Sequence, residues 1–318
     1  MRAELVSIIV PTFNEEVDIR DTLERLIRLS YKNKEIIVAD DSTDKTPEIV
    51  KEYEKFGVTL LRRGVNEGGR CGARNLGIMR SRGDILIILN ADVLLPEDFI
   101  ERIMNHYVNG ADYVLVQSQV SNGNKLFARY VDAKSHILYD GQDWIEWTEG
   151  FSCRRSVAFD AGLFPITPIP LVAGEDGYFG GQLKKKGYKK VIDRTIVISH
   201  AAPEELKSYW RARKEKRNVL PHYFLYHKPL PYLLTKEVVF VLYSFFYIAS
   251  IFPLVFWALR VQRFSPRGMR DTFPFVYSAV LERVAVMSGG LHSVYGLLRY
   301  ILISQRFSDK IRDKIERV

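Results

Sequence analysis

The chain has 318 residues, 47% of them apolar and 26% charged, a folding composition that excludes intrinsic disorder and fits one large domain or a catalytic domain with an extension. Forty-six Lys and Arg against 38 Asp and Glu leave a formal charge of +8, modest for a nucleic-acid binder but suited to phosphates or an anionic membrane surface. Two cysteines, Cys71 and Cys153, exclude a disulfide scaffold and a multi-cysteine zinc centre.

Short β-branched runs alternate with amphipathic stretches as far as about Val120. Ser7–Thr12 reads as a buried strand, and Val17–Leu29 as a helix with its apolar stripe on Ile19, Leu23, Leu26 and Ile27. Glu35–Ala39 is a second strand, ending in Asp40 and Asp41. Thr46 followed by Pro47 predicts an N-cap and first turn, opening a helix to about Lys55. Val58–Leu61 and Asp84–Leu89 are the third and fourth strands. Alternation at this spacing predicts an α/β fold with a mostly parallel sheet flanked by helices. Such sheets collect ligands at the carboxyl ends of their strands, where Thr12–Glu15, Asp40–Asp44 and Asn90–Asp92 lie. From about Asn122 to Ala202 the order loosens into loops and short strands, with a helix near Asp176–Lys186. Glu204–Tyr226 reads as a charged helix carrying Arg211 and Arg213.

Composition changes at Val238. Val238–Leu259 holds 22 residues without a charge, about 33 Å as a helix and enough to cross a hydrocarbon core, although Pro253 interrupts it. A second apolar region, Phe273–Ile303, carries Glu282, Arg283, His292 and Arg299. The expected division is a catalytic domain over 1–230 and apolar membrane-associated helices over 231–318. No long apolar run occupies the first 15 residues, so no signal peptide is expected and the catalytic domain is placed on the cytoplasmic side. The loop after Leu259 carries Arg260, Arg263, Arg267 and Arg270. Short loops this rich in Arg stay cytoplasmic, which favours a re-entrant or interfacial hairpin over a single crossing.

No Gly-x-Gly-x-x-Gly follows the first strand and no phosphate-binding Gly-Lys-Ser/Thr loop occurs, which argues against a dinucleotide-binding oxidoreductase. The segments after the strands are acidic instead, and carboxylates converging there suit a divalent cation bridging to a diphosphate. Five segments in order are Ser7–Glu15, Val38–Thr46, Asn66–Gly77, Asn90–Asp92 and Gly174–Asp176. Together they resemble the family 2 glycosyltransferases, inverting enzymes of the GT-A fold, over roughly residues 5–215.

The resemblance implies a site. Asp41, with Asp40 beside it, would contact the nucleotide base, and Pro11, Phe13 and Glu15 would line the same pocket. Asn90, Ala91 and Asp92 occupy the family's Asp-x-Asp position, so Asp92 would ligate Mn²⁺ or Mg²⁺. Asn90 replaces the usual first Asp and supplies no charge. His200 closes a strand where relatives use a His on the metal or diphosphate. Arg70 and Arg74 would serve either the phosphates or helix packing, and Arg211 and Arg213 would form a basic arm over the diphosphate. Asp176 matches the base position, with Glu175 beside it; an inverting displacement needs one carboxylate to take the acceptor's proton. A helix N-terminus is the competing reading of that acidic pair.

The expected function is an inverting, membrane-associated glycosyltransferase using a UDP- or GDP-linked sugar and a hydroxyl acceptor on a lipid-linked or surface glycan. Membrane lipids are expected partners, nucleic acid is not, and a homo-oligomer is compatible with the sequence. Two readings compete: a polyprenyl-phosphate glycosyltransferase, whose anionic acceptor needs no strong base, and a catalytically silent nucleotide- or glycan-binding relative.

Overall fold

The computed structural model describes residues 4–63 and 68–315, with side chains to Gln305. Asn66 and Glu67, which open the third motif, and the side chains of the Arg306–Arg317 tail lie outside the described residues. The chain divides into two compact units, Met1–Glu204 and Glu205–Val318, a boundary earlier than the expected 230/231. The charged helix after Glu204 falls in the second unit, because its inner residues are buried there and not in the α/β unit.

The first unit runs β1 (Val6–Thr12), α1 (Ile19–Arg28), β2 (Lys34–Asp40), α2 (Thr46–Lys51), β3 (Val58–Arg62), α3 (Gly69–Arg80), β4 (Ile85–Ile88), β5 (Val93–Leu94), α4 (Phe99–Val108), β6 (Tyr113–Val120), α5 (Leu126–Tyr139), β7 (Phe151–Arg154), α6 (Arg155–Asp160), α7 (Glu175–Lys185) and β8 (Lys190–His200). These strands form one sheet in the order β3-β2-β1-β4-β7-β6-β8-β5. β1 pairs in parallel with β2 and β4, β2 with β3, and β6 with β8. β7 runs antiparallel to both β4 and β6, and β5 antiparallel to β8. The sheet is therefore mixed, with a continuous parallel block β3-β2-β1-β4 at one end and the parallel pair β6-β8 toward the other.

Strand alternation builds the core. Val6, Ile8 and Val10 face one layer with Ile85 and Ile87, packed by Leu23 and Leu26 of α1 and Phe99 and Ile103 of α4. Ile9, Leu86 and Ile88 face the other layer, with Ile78 of α3, Phe151 of β7 and Phe179 of α7. Apolar strands with both faces covered are what a buried parallel sheet requires. Helix α3 lies very close on β1, since a Cβ at Gly77 would meet Ile9 Cγ2 at 2.4 Å. Asn75 of the same helix donates to the Phe164 carbonyl at 2.8 Å and accepts from its N–H at 2.9 Å. Two residues of the third motif thus hold the scaffold.

The structure corrects three local expectations. Thr46 opens α2, but its hydroxyl makes no cap; it donates to Asp44 Oδ1 at 2.6 Å and accepts from the Glu15 N–H at 2.9 Å. The region expected to be loops and short strands from Asn122 holds the 14-residue helix α5 and the 11-residue strand β8. The uncharged stretch from Val238 is not one rod. It is split between α10 (Leu230–Ser250) and α11 (Phe252–Val261), with Ile251 between them at φ +53°. Pro253 lacks an N–H and restricts the residue before it, so it is accommodated in the first turn of α11 and the break falls ahead of it.

The second unit comprises α8 (Leu206–Glu215), α9 (Leu220–Phe224), α10, α11 and α12 (Thr272–Ile315). Buried polar pairs join its helices. Arg217 Nε donates to both Glu237 carboxylate oxygens at 2.9 Å, and Tyr209 Oη donates to the Ser278 carbonyl at 3.0 Å. A Cβ at Gly289 would lie 1.8 Å from the Lys214 carbonyl oxygen, so α8 and α12 touch backbone to backbone. Helix α10 is long and apolar enough to cross a membrane by length and composition, and Val238, Val239, Leu242, Tyr243, Phe245 and Phe246 are exposed on it.

Candidate active site

The carboxyl ends of β1, β2 and β4 lie side by side, with Thr12 opposite Asp40 in the parallel register. Two loops there are tied together by side chains. Asn14, at φ +59°, donates its N–H to Ser42 Oγ at 2.8 Å and accepts from the Thr43 N–H at 2.9 Å. Asp40 is fully buried and saturated. Thr12 Oγ1 and Ser42 Oγ donate to its Oδ1 at 2.7 and 2.6 Å, and Arg62 pairs with its other oxygen. It anchors the two loops and offers nothing to a base, unlike the expectation.

Asp41 is clamped by Arg63, whose Nε donates to Oδ1 at 2.9 Å and whose Nη2 also reaches the Gly69 carbonyl at 3.0 Å. This strand end therefore carries a carboxylate–guanidinium pair that is largely covered, the Asp41 side chain 5% and the Arg63 side chain 13% exposed. Pro11 is half-buried and Phe13 exposed, so the Phe13 ring is open to a ligand at this end of the sheet. Burial pushes the Glu15 carboxyl up to about 7, with Asp92, Asp18 and Asp44 adding and Arg70 opposing.

After β4, Ala91 is buried and its carbonyl accepts from Thr22 Oγ1 at 2.5 Å, which anchors it to α1. Burial raises the Asp92 carboxyl above its ordinary range, and His200 acts against that rise. The two are neighbours across the β5–β8 ladder, where Val93 faces His200. The His200 Nδ1 forms a 2.9 Å hydrogen bond with Ser118 Oγ.

Asn90 is fully engaged. Its Nδ2 donates to both oxygens of Glu149 at 3.0 Å, and its Oδ1 accepts from Arg74 Nη2 at 3.4 Å. Arg74 is only 3% exposed; its Nη1 donates to Glu175 Oε1 at 3.0 Å and its guanidinium lies over the Trp147 and Phe164 rings. Arg74 thus serves packing, whereas Arg70, 46% exposed and 3.6 Å from Glu175, keeps an open face for an anion.

The two carboxylates opening α7 differ sharply. Glu175 is 1% exposed beneath Arg74 and Arg70, which removes it from the role of base, and its Oε2 has no hydrogen-bond partner in the structure. Asp176 is half-exposed and its Oδ1 accepts only locally, from the Gly177 N–H at 2.7 Å. The expected basic arm is also divided. Arg211 is exposed, but Arg213 is buried over the Tyr209 ring and 3.5 Å from Glu282 inside the second unit.

Sequence reasoning missed Arg63, Trp147 and Glu149. The Glu149 carboxyl is pushed up to about 7, mainly by burial and then by Asp92, while Arg74 opposes. Among the described residues no three His, Cys, Asp or Glu side chains converge closely enough to hold a metal on their own.

The family model described as Glycosyl transferase family 2 matches residues 7–164, which span β1 to the loop before α7. The probable glycosyltransferase YdaM of Bacillus subtilis is 27% identical over 78% of this chain and 63% of its own length. The chain therefore spans less than two thirds of that relative. An uncharacterized glycosyltransferase of Haemophilus influenzae is 33% identical over 64% of this chain and 78% of its own. The Escherichia coli UDP-Glc:alpha-D-GlcNAc-diphosphoundecaprenol beta-1,3-glucosyltransferase WfgD is 28% identical over 61% and 76%. Among solved structures, the mannosyltransferase PcManGT from Pyrobaculum calidifontis, in complex with GDP-Man and Mn²⁺, superposes with a TM-score of 0.54 at 17% identity. That likeness covers 98% of this chain and 81% of the other, and it is one of fold. Sheet order, motif placement and these matches agree: the chain belongs to the family 2 glycosyltransferases, with a GT-A-type fold.

Proposed function

We propose that the chain transfers one glycosyl group, with inversion, from a nucleoside-diphosphate sugar to a hydroxyl acceptor. The observation that carries this reading is the sorting of the acidic pair at α7. Glu175 is neutralised by arginine, and Asp176 stays open beside it. Inversion in one displacement requires a carboxylate to accept the acceptor's proton as the new bond forms, and Asp176 takes that role. Phe13 and the Asp41–Arg63 pair receive the base, and Arg70 the diphosphate. PcManGT binds GDP-Man and the E. coli relative is named for UDP-Glc, so both nucleotides are candidates for the donor.

Mn²⁺ or Mg²⁺ fits the residues present. Asp92, in the turn before β5, and His200, at the end of β8, supply an oxygen and a nitrogen, and a cation held by two protein side chains takes its remaining ligands from substrate phosphates and water. When bound, it would offset the charge gathering on the departing diphosphate. The Asn90 oxygen already faces Arg74, and Asn90 is left out of the proposed ligand set.

The exposed apolar face of α10 supports membrane association, and a cytoplasmic catalytic unit acting on a lipid-linked or surface glycan is the arrangement proposed with it. The same face suits a polyprenyl-phosphate acceptor, which arrives already ionised. The deciding experiment is transfer to each acceptor class with Asp176→Asn: loss of transfer to hydroxyl acceptors supports the reading, and an undiminished rate overturns it. A screen of UDP- and GDP-sugars with and without Mn²⁺ in the same assay names the donor. Absence of transfer and donor hydrolysis with all of them would leave a silent binding protein.

A further inference from the structure

The five motifs leave one group unexplained: Glu149, a carboxylate at the rim of β7 that no motif contains. It stands across from Asn90 because β7 runs antiparallel to β4, with Phe151 opposite Ile88. Both Glu149 oxygens accept from the Asn90 amide nitrogen at 3.0 Å, while the Asn90 oxygen faces Arg74 at 3.4 Å. Only one orientation of an amide satisfies both neighbours. The flipped amide would set its oxygen against a carboxylate and its NH₂ against a guanidinium, and a carboxylate at position 90 offers Glu149 no donor, so the two could bond only through one shared proton in place of the two amide hydrogen bonds. Arg74 then continues the chain to Glu175 at 3.0 Å, the residue before Asp176. Arg74 Nε and Glu175 Oε2 are already buried without partners, so loss of another member would add to the unpaired polar atoms of a partly satisfied network.

We propose that Asn90 is a positioning residue whose amide couples Glu149 to the Arg74–Glu175 pair, tying the loop that bears Asp92 to the start of the helix that bears Asp176. The departure from Asp-x-Asp is then not a weakened metal site. It is one half of an Asn–Glu exchange, in which the carboxylate absent from position 90 stands at position 149. The inference rests on the roles given above to Asp92 and Asp176, and it extends them. The leaving diphosphate and the attacking hydroxyl must be held in line, and a misplacement of about 1 Å can cost about 10²-fold in rate.

Four full-length proteins test it: wild type, Asn90→Asp, Glu149→Gln and the double variant, which exchanges amide and carboxylate without changing net charge. Asn90→Asp sets two carboxylates face to face, and kcat should fall about 10- to 100-fold while the donor KM moves less than about threefold. In the double variant the amide at position 149 donates to the carboxylate at position 90, which also accepts from Arg74, so kcat should recover at least to the level of Glu149→Gln alone. If Asn90→Asp fails to fold, the double variant should restore both the melting transition and turnover. Titration of Mn²⁺ into the same four proteins by calorimetry is independent of turnover. A merely weakened ligand at position 90 predicts that Asn90→Asp binds Mn²⁺ more tightly and is at least as active as wild type, and that result overturns the proposal. A double variant no better than Asn90→Asp in folding or kcat overturns it as well. Failure of the transfer reading shows instead as wild type without turnover, with the melting and Mn²⁺ measurements still deciding the role of Asn90.

Discussion

Glu175 and Asp176 are adjacent in sequence but differ in burial and pairing, and one pair of substitutions tests the separate roles proposed for them. Glu175→Gln keeps the shape of the side chain and an oxygen for Arg74, but it removes the counter-charge from a guanidinium 3% exposed. Removing one partner of a buried ion pair costs about 3–5 kcal/mol. Arg74 keeps the Asn90 oxygen and two ring faces, which places the loss near the lower end, about 3 kcal/mol. For a unit of this size each kcal/mol lowers the melting temperature by about 2–4 °C, so Glu175→Gln should melt about 6–12 °C below wild type. Asp176 is half-exposed and bonded only to its own turn, and Asp176→Asn should change stability by less than about 1 kcal/mol. Its effect belongs to chemistry: kcat should fall about 10²–10⁴-fold with the nucleotide Kd nearly unchanged. Thermal melts and steady-state kinetics on both variants are sufficient. Glu175→Gln melting within about 2 °C of wild type, less than 1 kcal/mol would give, or Asp176→Asn proving the less stable of the two, refutes the division of roles.

Asp92→Ala should abolish the enhancement of nucleotide binding by Mn²⁺ measured by calorimetry, and equal enhancement in wild type and variant removes Asp92 from the metal site. Glu15, held at about 7 against 4.5 when unfolded, keeps a proton that the unfolded chain releases. Stability from this group is full below about pH 4.5 and is lost as pH rises toward 7, so Glu15→Gln should raise the melting temperature at about pH 8 and leave it unchanged at about pH 4. Gly77→Ala drives a methyl into Ile9 and should cost about 1–3 kcal/mol by denaturant titration; Gly181→Ala, with open space around its Cβ position, is its control. For the membrane, Ser265 is a poor reporter because it is buried and its hydroxyl donates to Asp271. Met269 and Gln305 are exposed positions for cysteine substitution, and both native cysteines are buried. A re-entrant or interfacial arrangement requires Met269→Cys and Gln305→Cys both to be labelled from the cytoplasmic side of sealed vesicles; labelling of Met269→Cys only from the other face means that α10 crosses.

The parts of the fold legible in the sequence are those coded by near neighbours. The stripe of Ile19, Leu23 and Leu26 lies buried in α1, and the runs at Ile8, Ile37 and Ile87 became adjacent parallel strands. What the chain order hides is pairing across long loops. Glu149 meets Asn90 across 59 residues, and nothing local announces that β7 returns antiparallel beside β4. The pairing of β6 with β8 is similarly remote and includes a register shift at Val116; a region rich in Gly, Pro and Trp concealed it. Arg63 was within reach of reasoning. A basic pair, Arg62 and Arg63, follows the third strand just as Asp40 and Asp41 follow the second, and parallel neighbours set Arg62 against Asp40.

The acidic residues at the strand ends also explain why motif matching overcounts a site. Desolvation makes a buried carboxylate costly unless a cation or several donors meet it, and this chain meets that cost selectively. Asp40 has Arg62 and two hydroxyls, Asp41 has Arg63, and Glu175 has Arg74. Each of these pairs joins two elements of the scaffold, so the Asp40 and Glu175 carboxylates are consumed by architecture, and Asp41 meets a substrate only as half of its pair with Arg63. No arginine or lysine ion pair is formed by Asp92 or Asp176 among the described residues. Burial raises the Asp92 carboxyl with His200 as its main opposing influence, which makes an arriving cation the natural source of compensation. Charge compensation, more than sequence position, separates the carboxylates that build this strand-end cluster from those without a cationic side-chain partner among the described residues.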